Sequence, residues 1–339
     1  MMKDQLIEIL QDLQLVGTET TIMIGAIIIL IAGLIKQQAA LTKILFLGTL
    51  VAGLYFHITL DQSGLALSNA LSISATSQSF GSHFILSAML LVIFQRDRQH
   101  ATEFYFFILA MLIGSLFMIK SNSLLIMYLA VELASFTSYI LTNFIFKKQG
   151  FEAGIKYLLF GAICSAIMLF GIGLVYGSTS TLFMHEWTGN DFQILVSQVG
   201  LVLILIGVFF KISLFPTHIW VPATYQSAPN DATAFMSIVP KLAGLILLSL
   251  LLTSANIAIS HCVYKLVLLA GVLTILVGTL GALRQQQVRR IGSFGAIAHS
   301  GFLLPLILNY SSSGQEAFLY YGAVYAIMNL SLFFIIDAY

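Results

Sequence analysis

Charge is what this sequence lacks most. Asp, Glu, Lys and Arg make up only 9% of its 339 residues, where a water-soluble domain carries about 25%. Such a chain cannot clothe a globular surface. Its mean hydropathy of +0.97 means that lipid covers most of its area. Cysteine is nearly absent. Cys164 and Cys262 stand alone in separate segments, which excludes a disulfide framework and a cysteine-bound metal or iron–sulfur cluster. The formal net charge of +1 offers no basic field for nucleic acid. No Pro/Ser-rich or low-complexity stretch separates domains, so one membrane domain is expected. The opening "MMKDQLIEILQDLQLVGTE" holds four acids against one lysine. It lacks the basic flank of a signal or transit peptide and reads as a short amphipathic interfacial helix.

What is present is a series of apolar runs. Crossing the hydrocarbon takes about 20 mostly apolar residues. Eleven such runs occur, near 20–35, 43–60, 79–94, 104–119, 122–146, 152–176, 192–215, 231–252, 258–283, 288–308 and 316–336. Lysine and arginine in the connecting loops orient them. With the N-terminus outside, the inward loops hold Lys36, Lys43, Arg96, Arg98, Lys147, Lys148, Arg284, Arg289 and Arg290, nine in all, against Lys3 and Lys120 outside. That bias predicts an N-out, all-α polytopic membrane protein. It leaves Lys156, Lys211, Lys241 and Lys265 unplaced.

Several ionisable groups therefore fall within membrane spans. Glu132, in "NSLLIMYLAVELASFTSYIL", lies ten residues into the fifth span. Lys241, in "TAFMSIVPKLAGLILL", is as deep in the eighth, and Lys211 lies in the seventh. Each charge at mid-membrane costs about 2.5–3.5 kcal/mol on insertion scales and faces a partner or a wet cavity. A static ion pair that fixes helix packing is the plain alternative, although buried pairs stabilise weakly. Lys156 follows Glu152 by one turn, so snorkelling explains it as well as function does. Lys265 is close to a span end and reads as snorkelling. Two histidines, His218 and His299, fall in or beside apolar stretches. A buried histidine is commonly just hydrogen-bonded, but beside lysines and a glutamate it gains weight as a proton carrier.

The stretch "VFFKISLFPTHIWVPATYQSAP", residues 208–229, joins a charge to a fracture. Pro216, Pro222 and Pro229 stop any regular helix just after Lys211. A helix broken inside a membrane is tolerated only where protein or a water-filled cavity satisfies the freed backbone, and such breaks are where transporters bind ions. Burial disfavours the lysine's charge and a nearby Glu132 favours it, so Lys211 can load and release a proton. The glycines of "GAICSAIMLFGIGLVYG" follow no strand and serve close helix approach. No dinucleotide, P-loop or haem pattern appears, and no redox cofactor is expected in this chain.

Together, "KYLLFGAICSAIMLFGIGLVYGSTST", "FFKISLFPTHIWVPATYQSAP", "SIVPKLAGLI" and "VRRIGSFGAIAHSGFLL" resemble subunit 2, or N, of respiratory complex I, the proton-pumping NADH:quinone oxidoreductase. The resemblance runs from about residue 104 to the end. It implies an inverted pair of five-helix repeats, each with one broken helix. On that pattern residues 1–103 are the N-terminal amphipathic segment and three spans, 104–252 the first repeat with the broken seventh helix, and 253–339 an incomplete second repeat. It also implies proton-transfer roles for Glu132, Lys156, Lys211, Lys241, His218 and His299. NAD, FMN, iron–sulfur clusters and quinone are then expected in partner subunits, and sister antiporter-like subunits beside this one. A bacterial plasma membrane is the expected location, with the mitochondrial inner membrane as alternative. Two departures stand out. Ala223 replaces the family's aspartate after "WxP", and the second repeat's lysine has no counterpart before Tyr339. A fragment and a split subunit both fit the latter. Two rival readings stay open: a subunit of a multi-subunit sodium/proton antiporter, and a purely structural membrane subunit.

Overall fold

The computed structural model describes residues 12–35, 38–59, 63–93, 100–144, 148–188, 191–257, 261–308 and 312–338. Most of the expected interfacial helix, and Lys3, Lys36, Arg96, Arg98 and Lys147, lie outside them. In chain order the elements are α1 (Gly17–Ile35), α2 (Ala39–Thr59), β1 (Gly64–Ala66), β2 (Leu71–Ile73), α3 (Ala75–Ile93), α4 (Ala101–Lys120), α5 (Leu124–Thr142), α6 (Lys148–Thr179), α7 (Leu195–Ile212), α8 (Val221–Ser227), α9 (Asn230–Ser254), α10 (Cys262–Leu283), α11 (Val288–Leu308) and α12 (Ser312–Ala338). Each of the eleven expected spans has its helix. Ten spans among the described residues are long and apolar enough to cross a membrane. The exception is α3, whose first turns carry Ser77, Gln78, Ser79, Ser82 and His83. These polar groups dilute its hydropathy without stopping the helix, because serine hydroxyls fold back onto carbonyls four residues earlier, as Ser79 does on Ala75. The chain is an integral membrane protein.

Two compact units divide the chain, Met1–Thr137 and Ser138–Tyr339. In the first, α1 packs against α2 and α4, and α3 against both α2 and α4. Strands β1 and β2 pair antiparallel, Leu65 opposite Ser72. Their inward side chains Ala66, Leu71 and Ile73 form a small apolar cluster with Val16.

In the second unit α6 runs along α7 and α10 along α11. Lipid-like packing has no hydrophobic drive between helices, so close approach depends on small side chains. A Cβ on Gly171 of α6 would sit 2.6 Å from the Gly200 carbonyl of α7, and one on Gly278 2.5 Å from the Ala298 amide. Both positions require glycine. Gly173 and Gly177, from the same glycine run, meet nothing. On α10 the stripe Leu269, Val272, Leu276 and Leu280 is exposed at helical spacing, the pattern of a face turned to lipid. Helix α9 is the opposite case, buried on every side, and packs against α7, α11 and α12.

The break after α7 is resolved group by group. Helix α7 stops at Ser213, which takes a left-handed conformation at φ 58°. The Leu214 amide then turns back to the Phe209 carbonyl at 2.9 Å, closing the helix as a Schellman turn. The Phe210 carbonyl also accepts the Trp220 indole N–H at 3.0 Å, and the Phe215 amide donates to Thr274 Oγ1 of α10 at 2.8 Å. Thr217 Oγ1 donates to the Leu214 carbonyl. A short 3-10 turn, Thr217–Trp220, leads into α8, and Pro222 sits harmlessly in its first turn. Trp220 stacks on Tyr157 at 4.2 Å, and Tyr157 meets Tyr139 edge-on at 4.6 Å. Side chains from α5, α6 and α10 thus hold a non-helical bend inside the membrane.

Candidate proton-transfer site

Five of the six predicted site residues lie in the second unit. Lys211 occupies the last turn of α7, 4% exposed, and its ammonium makes a long contact to Ser138 Oγ at 3.4 Å. Lys241 is 1% exposed and follows Pro240 within α9. Proline removes an amide hydrogen from the helix ladder and loosens the turn around it. Lys241 Nζ donates to the Ala296 carbonyl of α11 at 2.9 Å and lies 6.0 Å from the centre of the Tyr225 ring. Its partner is a carbonyl dipole, not a carboxylate, which stabilises an ammonium less than an opposite charge would.

Hydroxyls link the break to this lysine. Ser213 Oγ lies 3.4 Å from Ser300 Oγ, and Ser300 donates to the same Ala296 carbonyl at 3.1 Å. That carbonyl orients both Ser300 and Lys241. Nearby, Tyr325 OH donates to the Ser237 carbonyl at 2.9 Å. The hydroxyls of Thr224 and Tyr225, both 0% exposed, find no partner among the described residues.

His299 follows Ala296 by three residues on α11, and its Nδ1 lies 2.8 Å from Tyr321 OH. His218 is placed differently. It is half-buried on the turn after the break, parallel to Phe215 at 5.7 Å, and its Nδ1 has no partner among the described residues. Lys156 is largely exposed and pairs with Glu152 at 2.5 Å. These two, with Ala223, Gln226 and Arg290, line a cavity of about 260 Å³. Glu132 belongs to the first unit, half-buried on α5.

Ser138, Ser213, Ser300, Tyr225 and Tyr325 were missed by sequence reading. Their only signal was the presence of hydroxyls within apolar runs, and most such hydroxyls merely bond their own helix.

A buried cation at the end of an interrupted span, with a second one fully enclosed beside a proline, defines a helical membrane protein that carries charged groups within its spans. The sequence profile of the NADH:quinone oxidoreductase/Mrp antiporter transmembrane family matches residues 121–339. The chain belongs to that family. It is 37% identical over 245 residues to the NADH-quinone oxidoreductase subunit N of Rubrobacter xylanophilus, covering 70% of this chain and 51% of that protein. The subunit N of the Wolbachia of Brugia malayi is 30% identical, with 93% of this chain and 70% of that protein covered. Among solved structures, respiratory complex I from Thermus thermophilus with bound aureothin contains a chain that superposes with TM-score 0.81 at 26% identity, covering 93% of this chain and 69% of that one. This chain spans about half to two thirds of the length of these relatives.

Proposed function

We propose that this chain is a proton-conducting, non-redox membrane subunit of an NADH:quinone oxidoreductase, moving protons through buried lysines and hydroxyls while quinone reduction elsewhere drives it. The observation that carries the reading is the pair Lys211 and Lys241, both nearly inaccessible, with Ser213 two residues after the first and its neighbour Ser300 sharing the Ala296 carbonyl with the second. A packing role needs no titratable nitrogen at two such positions. In the proposed cycle Lys211 holds a proton beside Ser138 Oγ and passes it through water to the hydroxyls at the break. A carbonyl cannot carry it, so Ala296 orients the last donor and acceptor while water between Ser300 and Lys241 completes the transfer. His299 and Tyr321 form the next hydrogen-bonded pair along α11.

The names of the relatives support the quinone oxidoreductase reading over a sodium/proton antiporter. In this reading the N-terminus faces the positive side of a bacterial plasma membrane. The neighbours are other membrane-arm subunits, and NAD, FMN, iron–sulfur clusters and quinone belong to partner chains. The test is Lys211→Met in the assembled complex, which keeps the apolar stem and removes the titrating nitrogen. Assembly is expected to survive and proton pumping to fall at least tenfold. Lys211→Arg is expected to fail as well, because a guanidinium keeps its charge. Full pumping by an assembled Lys211→Met complex would return the lysine to packing.

A further inference from the structure

A second set of buried ionisable groups lies in the first unit, among residues that the candidate site does not use. Glu19, in the first turn of α1, is 1% exposed, and Lys120, the last residue of α4, is 3% exposed. Their charged atoms are 2.5 Å apart. The approach is an ion pair by distance but not by hydrogen-bond angle. Neither carboxylate oxygen accepts a hydrogen bond from any other described group. Beside them His57, near the end of α2, is 5% exposed. Its Nε2 lies 2.7 Å from the Gln78 carbonyl of α3, and its Nδ1 3.3 Å from the hydroxyl of Thr18, the residue before Glu19. The ring lies against α3: a Cβ on Gly81 would come within 2.5 Å of it.

These contacts settle the tautomer. A carbonyl only accepts, so Nε2 must carry the hydrogen and Nδ1 is the basic nitrogen. In the neutral ring Thr18 donates to Nδ1. In the protonated ring Nδ1–H donates to Thr18, because a hydroxyl serves either role. The histidine can therefore gain a proton without breaking its anchor to Gln78, with Thr18 turning from donor to acceptor. Both charges of the Glu19–Lys120 pair lie beside the ring.

The groups that face His57 are Thr18 and Glu19 from α1, Gln78 from α3 and Lys120 from α4. On α3, His83 lies further along and is bound to the Ser79 carbonyl at 2.7 Å. The hairpin covers this end. Leu71 bridges Ser121, the Asn122 amide donates to the Ala70 carbonyl at 2.9 Å, and its side chain donates to the Asn69 carbonyl at 2.7 Å. No residue of the hairpin, 64–73, is ionisable, so the cap is neutral.

The geometry points to a second proton-holding site formed by His57, Glu19 and Lys120, seated under the hairpin at the end of the first unit where α1 begins. Its ligand is a proton, added to His57 Nδ1 and released toward the adjacent membrane face, the outer one in the orientation proposed above. Between the two states one N–H bond forms or breaks, Thr18 reverses its hydrogen bond, and the ion pair keeps its charges. This inference rests on the reading that the chain moves protons, and it adds a release group to that reading.

The test uses the complete complex in sealed vesicles. His57→Gln keeps an amide donor for the Gln78 carbonyl but cannot titrate. Glu19→Gln combined with Lys120→Met removes both charges together, so neither is left unpaired. Both variants are expected to assemble. In each, protons pumped per quinone reduced should fall several-fold, and the pH profile of pumping should change from the parent's. Unchanged pumping with an unchanged profile in either assembled variant would overturn the proposal, as would failure of both to assemble, which is what a purely structural cluster predicts. Lys211→Met, measured alongside, separates the two ideas. If it pumps fully, the conduction reading itself fails. If it stops pumping while His57→Gln does not, only the release site is refuted.

Discussion

Replacing Lys241 by methionine separates its proton chemistry from its packing. The side chain is among the largest fully buried ones, so truncation and neutralisation have very different costs. Lys241→Ala would open a cavity in a helix buried on all sides, at about 2–5 kcal/mol by analogy with other long side chains cut to alanine. Lys241→Met fills nearly the same volume. It removes one charge-assisted hydrogen bond, to the Ala296 carbonyl, worth about 1.5–3 kcal/mol. It also relieves the desolvation of an ammonium, a penalty of several kcal/mol. The carbonyl is not orphaned, since Ser300 still donates to it at 3.1 Å. The two effects oppose each other, so the methionine variant should be as stable as the parent or more so. Conduction should respond in the other direction, falling at least tenfold. The assay is acidification of inverted vesicles holding the complex, normalised to its quinone-reductase turnover and to assembled subunit. A stable Lys241→Met complex that pumps at the parental ratio would refute the role assigned to this nitrogen. A destabilised one would refute the packing estimate.

Other outcomes follow from the break and the helix crossings. Trp220→Phe keeps the stack on Tyr157 but loses the hydrogen bond to the Phe210 carbonyl. About 1–3 kcal/mol should be lost, read as earlier thermal loss of assembled complex. Thr274→Val, which strips the acceptor from the Phe215 amide, should behave alike. Gly171→Ala, whose Cβ would meet the Gly200 carbonyl, should cost about 1–3 kcal/mol through overpacking and lower the yield. Gly173→Ala, facing open space, should leave the yield unchanged. Lys148→Cys should react with membrane-impermeant thiol reagents from the inner face only; labelling from outside would reverse the proposed orientation.

The spans, their number and the place of the fracture are properties of local composition, and they are legible in one dimension. Apolar runs report helices because lipid leaves the backbone no other partner. Prolines at 216 and 222 report the break because they cannot donate an amide hydrogen. Lys211 and Lys241 announce themselves because charge is rare in such runs. Partnership is another matter. Lys120 reads as a loop cation at a span end and Glu19 as part of an acidic interfacial segment, yet the two form a buried ion pair. Thr274 captures an amide 59 residues away, and Ser213 meets Ser300 across 87. Which polar side chains meet depends on how each helix is rotated about its axis and on how closely glycines such as Gly171 and Gly278 let neighbours approach. Hydropathy averages over that rotation. The sequence alone therefore determined the spans and the break, and the tertiary packing decided which polar groups are buried and which of them face one another.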